Sequence, residues 1–267
     1  MLDRRVTLFD SDLLANPGRN RRLFPVQAPY RSLPAGLALW LSPWQESYAN
    51  NDPIGDTGFE AHDWSGNARH FTQSSSGSRP LFKTATLNGQ PSFLFDGSND
   101  FLERTAFMAG SAAEIFFTFK IPTGGAWNSG TFGWMKFDGA SLASHLNFNG
   151  VAYSAFGGTN RTNYNPTQAI SENGATMHML AKGGSNAWFW WENGNVQRAN
   201  MTQTIDWGTV RHLVGASSGN SNASSISNYW NGHLYDLQIY ANELTSTERN
   251  TVLAALNSKF GISYTSF

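Results

Sequence analysis

The chain has 267 residues, of which 40% are apolar, 14% aromatic and 14% charged, with a formal net charge of −1 and no cysteine. That composition can bury a large core and is too weakly charged for a disordered chain. The near-zero charge gives no electrostatic basis for nucleic-acid binding by the molecule as a whole. The lack of cysteine excludes disulfides, thiolate metal centres and cysteine catalysis.

Residues 1–35 differ in character from the rest. They hold Arg4, Arg5, Arg19, Arg21, Arg22 and Arg31 against three aspartates, with prolines at 17, 25, 29 and 34. Proline at that spacing forbids a long helix and favours an extended path. The segment is read as an arm, either lying on its own domain or docking on a neighbouring subunit, where the planar guanidinium fork makes bidentate contacts. Its start, MLDRRVTLFDSDLL, places charges where an export signal needs an apolar run. No apolar run anywhere reaches the ~18 residues of a membrane span. A soluble product made in the cytoplasm is expected, with no membrane insertion.

From residue 36 to 267 one domain is expected, and its pattern is strand, turn, strand. LALWL (37–41), PSFLF (91–95), EIFFTFKI (114–121), TFGWMKF (131–137) and HLNFN (145–149) are short β-rich runs between Gly, Asn and Ser clusters. MHMLAK (177–182), AWFWWE (187–192), VRHLVGA (210–216) and GHLYDLQIY (232–240) continue the series. Asn193-Gly194 predicts a hairpin turn, because both residues tolerate positive φ; Asn88-Gly89 and Asn231-Gly232 fit similar turns. Many runs are apolar on both faces, as central strands between two layers must be.

One helix is predicted, over 245–260. Thr245 and Glu248 form a capping box, Val252, Leu253, Leu256 and Phe260 make one apolar stripe, and Gly261 supplies the left-handed cap. A lone amphipathic helix after a strand series should lie against the sandwich.

DWSGNARH (63–70), Arg79-Pro80 and LNGQPSFLFDGSNDFLE (87–103), followed at the far end by NGHLYDLQIY (231–240), Leu244-Thr245, Glu248-Arg249 and Lys259-Phe260-Gly261-Ile262, resemble laminin-G-like, concanavalin A-like jelly-roll domains. Such domains occur in bacterial secreted proteins and in bacteriophage structural proteins. The resemblance spans about Gly36 to Ile262. It implies an all-β sandwich of two antiparallel sheets with about a dozen strands. Members bind glycans or proteins, often with calcium, and some relatives hydrolyse polysaccharides.

Each chemical candidate has a plainer alternative. Asp96 and Asp100 in FLFDGSNDFLE could offer oxygens to calcium, but Asp-Gly and Ser-Asn-Asp are also what a bend requires, and the bend is the favoured reading. The same choice applies to Asp63 and Asn67. Hydrolytic relatives carry their carboxylates as Glu-x-Asp-x-x-Glu on one strand. This chain has no such run; its nearest approach, Glu60-Ala-His-Asp63, has the wrong period. The six histidines lack zinc spacing, although His62 and His70 flank DWSGN, and His178, His212 and His233 fall in strand patterns. Trp188 and Trp190 share one strand face, Phe189 and Trp191 the other, and core packing is the stronger reading for both. Trp127, Trp134 and Tyr164 lie near polar loops and are the candidate rim aromatics for a sugar.

The expectation is a non-enzymatic structural or recognition protein of a bacteriophage virion, such as a head decoration, fibre or tail-associated component. Its partners would be other virion proteins or further copies of the chain, with a host surface glycan as ligand. No cofactor is required, with calcium the one candidate. The alternative is a secreted bacterial carbohydrate-binding module, and a polysaccharide-degrading enzyme comes third.

Overall fold

The computed structural model describes residues 33–56, 58–123, 131–149, 151–154, 156–159, 162–165 and 172–267. Arg4, Arg5, Arg19, Arg21, Arg22, Arg31 and Trp127 lie outside these residues. In chain order the strands begin with β1 (Leu37–Leu41), β2 (Leu81–Leu87), β3 (Gln90–Asp96), β4 (Leu102–Thr105) and β5 (Ala112–Lys120). They continue with β6 (Thr131–Gly133), β7 (Met135–Lys136), β8 (His145–Phe148), β9 (Val151–Ser154), β10 (Thr162–Tyr164) and β11 (Ala175–Lys182). The series ends with β12 (Gly184–Glu192), β13 (Asn195–Gln203), β14 (Arg211–Val214), β15 (Ser217–Ser218), β16 (Ile226–Ser227) and β17 (Asn231–Tyr240), and helix α1 spans Ser246–Phe260.

The architecture is an all-β antiparallel sandwich with one C-terminal helix. Its long layer runs β13-β12-β11-β5-β17-β3-β2, and β1 pairs with the second half of β17 beside the end of β3. The facing layer is divided into shorter ladders, β10-β9-β8-β6 and β4-β14-β7, with β15-β16 as a separate pair.

Alternation along β5 sorts the interior. Ile115, Phe117 and Phe119 enter the inter-sheet core with Met177, Met179, Trp190, Leu237 and Ile239, while Phe116 joins Tyr235, Tyr240 and the apolar stripe of α1 on the outer face. Trp190 and Trp191 follow the same rule, the first in the inter-sheet core and the second against His178 and Phe267 behind it. A chain that buries both faces of its long sheet must read as apolar on both, which is the imperfect alternation seen in the sequence.

The helix forms as its sequence dictates. Thr245 Oγ1 accepts from Glu248 N, the Glu248 carboxylate accepts from Thr245 N, and Gly261 ends the helix at φ 69°. Beneath it sits a buried polar cluster. Arg249 donates to both oxygens of Glu114, Leu244 N donates to Oε2 at 2.7 Å, and His178 Nε2 bonds Oε1. The His178 ring is stacked between Phe116 (4.2 Å between centroids) and Trp191 (4.4 Å). Burial alone would push the Glu114 carboxyl up, but the bonds and charges of His178 and Arg249 together hold it below the usual range. Burial lowers His178 against the opposing bond and charge of Glu114.

Asn88-Gly89 and Asn193-Gly194 are two of the three hairpin turns expected, all four residues having positive φ. Asn231-Gly232 is not a turn. It opens β17, and the residue with positive φ ahead of that strand is Asn228, at 56°. Gly232 instead permits close packing, since a Cβ there would meet Lys120 O and the Trp230 ring at 2.8 Å.

His212 shows how the core handles a polar side chain. Its Nε2 accepts the backbone N–H groups of Phe107 (3.0 Å) and Met108 (3.1 Å), and its ring stacks on Phe137. Burial, with the charge of Arg69 second, pushes its pKa down to about 3. His212→Leu removes the side-chain acceptor that serves both N–H groups and is expected to cost about 2–5 kcal/mol at pH 7. Between pH 6.5 and 3 the folded state binds fewer protons than the unfolded chain, so the contribution of His212 is complete above 6.5 and is lost as pH falls toward 3. The stability gap between wild type and variant should therefore narrow on acidification, as read by urea unfolding from pH 7 to pH 4. A gap that widens contradicts this assignment.

Candidate rim site

Two of the expected rim aromatics are interior residues. Trp134, 1% exposed, packs edge-on against Phe117 at 5.0 Å and lies 6.0 Å from Trp190; Tyr164, 5% exposed, lies 4.9 Å from Trp190. The polar loops beside them in sequence misled the reading, because strand register decides which way a side chain points. Trp134 falls between β6 and β7, and its pleat faces the long sheet.

The Asp96–Asp100 segment is a bend stabilised from within. Asp96 Oδ1 accepts the N–H groups of Ser98 (2.8 Å), Asn99 (3.2 Å) and Asp100 (3.3 Å), and Asp96 N donates back to Asp100 Oδ2. Burial, then the neighbouring Asp96 charge, raises the Asp100 carboxyl to about 6. Among the described residues no group of three or more His, Asp or Glu side chains is placed to hold a metal ion.

In DWSGN the acidic residue is likewise structural. Asp63 Oδ1 accepts from Trp40 N and Ser65 N, and Oδ2 accepts from Arg69 N. Asn67 Nδ2 donates to Leu37 O and Ala38 O, and Arg69 donates to Ala38 O. Gly66 at φ 89° lets the chain reverse. The loop is thereby clipped to β1, and this clip positions a surface where aromatic and ionisable side chains converge.

That surface is built from an extended segment with period two. Ala61 and Asp63 point inward, at 0% and 6% exposed, so Glu60, His62 and Trp64 share the outward face. The second contribution comes from the stretch after β1, where a short helical turn at Pro43–Gln45 delivers Glu46 and Tyr48. Glu46 Oε1 accepts His62 N (3.0 Å) and Trp64 Nε1 (3.3 Å), while Oε2 lies 2.9 Å from His62 Nδ1. Tyr48 OH donates to Glu60 O and lies 3.0 Å from His62 Nδ1. His62 Nε2 is 3.7 Å from Glu60 Oε2. The His70 ring stands edge-on to His62 at 5.1 Å, and its Nδ1 accepts Asp63 N. Burial, then the His62 charge, keeps His70 below its ordinary pKa, consistent with a neutral acceptor.

The result is an indole 37% exposed, held by the Glu46 carboxylate and 6.0 Å from the His62 ring, with the Glu60 carboxylate beside that imidazole. Such a set can stack on the apolar face of a ring and accept hydrogen bonds from hydroxyls at its edge. Sequence reasoning missed it because Glu60-Ala-His-Asp63 was tested for a pair of acids. The legible signal was Glu60-x-His62-x-Trp64, three functional side chains on one extended face, with Glu46-x-Tyr48 alternating likewise.

No family model matches the chain, and no curated protein is significantly similar to it. Among solved structures it is similar to domain 4 of AbnA, an extracellular GH43 arabinanase from Geobacillus stearothermophilus, in complex with arabinotriose. The identity is 12% and the TM-score 0.54, over 82% of this chain and 98% of that domain. It is also similar to the binding domain of botulinum neurotoxin serotype D, with 10% identity and TM-score 0.53 over 83% of this chain. The chain spans about half the length of that neurotoxin domain (51%). At these identities the likeness is one of fold, and it agrees with a jelly-roll β-sandwich.

Proposed function

We propose that this chain is a non-enzymatic glycan-recognition module whose sugar platform is the rim surface around Trp64. The observation that carries the proposal is the exposed indole fixed by Glu46, with His62 beside it and Glu60 beside His62. A side chain as costly to expose as tryptophan, tethered by its own N–H, suits a preformed stacking surface. Glu46 already accepts three hydrogen bonds, which suits a positioning role better than proton transfer.

Binding to a glycan array by the full chain, with and without chelator, tests the reading. Hits are expected to survive chelation and to disappear in Trp64→Ala. Arabino-oligosaccharides belong on the array because one structurally similar domain is described in complex with arabinotriose. An array with no hit contradicts the proposal, and release of reducing ends from the bound polysaccharide contradicts its non-enzymatic part. The setting we propose is a bacteriophage virion, with the arginine- and proline-rich residues 1–35 docking on neighbouring subunits. Mass spectrometry of purified particles should then detect the chain, and its absence from them would remove that placement.

A further inference from the structure

The charges around Trp64 are unevenly distributed. Glu46 and Glu60 both belong to the patch, and Glu60, whose side chain is 27% exposed, is the more accessible of the two. Glu46 is 3% exposed and commits its oxygens to His62 and Trp64. Behind them Asp63 is buried and satisfied by three backbone N–H groups. Of the guanidinium groups near this face, Arg69 and Arg79 are engaged elsewhere, and the Arg104 charge acts on His70 as the least of the influences on that ring. Arg69 bonds Ala38 O and lies over the Phe107 ring at 4.5 Å, and Arg79 pairs with Asp56 at 3.0 Å.

An oligosaccharide that stacks on Trp64 and continues along the outward face past His62 therefore meets the Glu60 carboxylate. We infer that Glu60 is a specificity-determining residue, selecting uncharged, hydroxyl-rich saccharides and rejecting those that carry carboxylate or sulfate groups. This inference rests on the glycan reading of the same surface. Its physics is simple. A carboxylate accepts from two hydroxyls of a neutral sugar, since each of its oxygens has lone pairs for donors. An anionic group at the same place meets a like charge, and rejection of that kind separates partners as effectively as added attraction. Because Glu60 is partly exposed, the repulsion is screened by salt.

The test uses the full chain, wild type and Glu60→Gln, titrated calorimetrically with two probes at low and high salt. One probe is a neutral oligosaccharide taken from the array hits, and the other is an oligogalacturonate of equal length. Wild type is expected to favour the neutral probe by at least tenfold at low salt, with a smaller preference at 0.5 M NaCl. Glu60→Gln keeps one acceptor oxygen, so it should bind the neutral probe within about threefold of wild type and the acidic probe at least tenfold more tightly than wild type does. Binding that depends on Trp64, combined with an acidic-to-neutral ratio unmoved by Glu60→Gln, overturns the role of Glu60 and leaves the glycan reading standing. A wild type that binds the acidic probe as tightly as the neutral one does the same. If no saccharide binds at all, both fall together.

Discussion

Arg249→Ala is expected to destabilise the fold by about 3–5 kcal/mol, because it strands a buried carboxylate. Glu114 is fully buried, and Arg249 is the cation that meets both of its oxygens. Its guanidinium also lies 5.5 Å from the ring centres of Trp191 and Phe267, so the substitution removes packing as well as charge. Arg249→Lys should recover less than half of the loss, since an ammonium cannot reproduce the two-pronged contact. Chemical denaturation at pH 7 measures both. The effect has a pH signature. The folded Glu114 carboxyl lies below 4.5, so its stabilisation is present above that value and disappears as pH falls through the folded pKa. A loss under 1 kcal/mol for Arg249→Ala would contradict the view that this cluster seats α1 on the back of the long sheet.

The second large effect is functional. Trp64→Ala should weaken binding of an array-selected neutral oligosaccharide by at least tenfold, equivalent to about 1.4 kcal/mol. Its effect on unfolding free energy should stay below ~1 kcal/mol, because the ring stands partly outside the fold. Trp134→Ala is the opposite control. It removes a ring packed against Phe117 and Trp190 and should cost about 3–5 kcal/mol of stability. Calorimetric titration and denaturant unfolding of the two variants separate a surface role from a core role.

The contrast between those tryptophans shows where sequence reasoning works. Strands that lie in the long sheet announce themselves, as EIFFTFKI and GHLYDLQIY do, because both of their faces are buried and both must be apolar. Helix α1 is legible for a different reason: its cap, stripe and terminal glycine are all local. β13, NVQRANMTQ, is not legible, since it pairs only with β12 at the sheet margin and carries polar residues. TFGWMKF reads as one strand yet divides between two ladders, and that division places Trp134 inside. Exposure of an aromatic depends on which ladder its strand joins, a long-range fact absent from any window of residues. The Asp63 and Asp96 bends were legible because short acidic side chains cap their own backbone. The Trp64 surface was written in the sequence as Glu60-x-His62-x-Trp64, but Glu46 joins it from a segment 14 residues earlier than Glu60, and only the fold brings the two together.

The account depends most on Trp64 meeting a sugar. Amide and indole N–H spectra recorded during titration with the best neutral oligosaccharide address this directly. The Trp64 indole resonance is expected to shift progressively and saturate with the binding isotherm, while those of the buried Trp134, Trp190 and Trp230 stay in place. Saturable binding with an unmoved Trp64 resonance would contradict it.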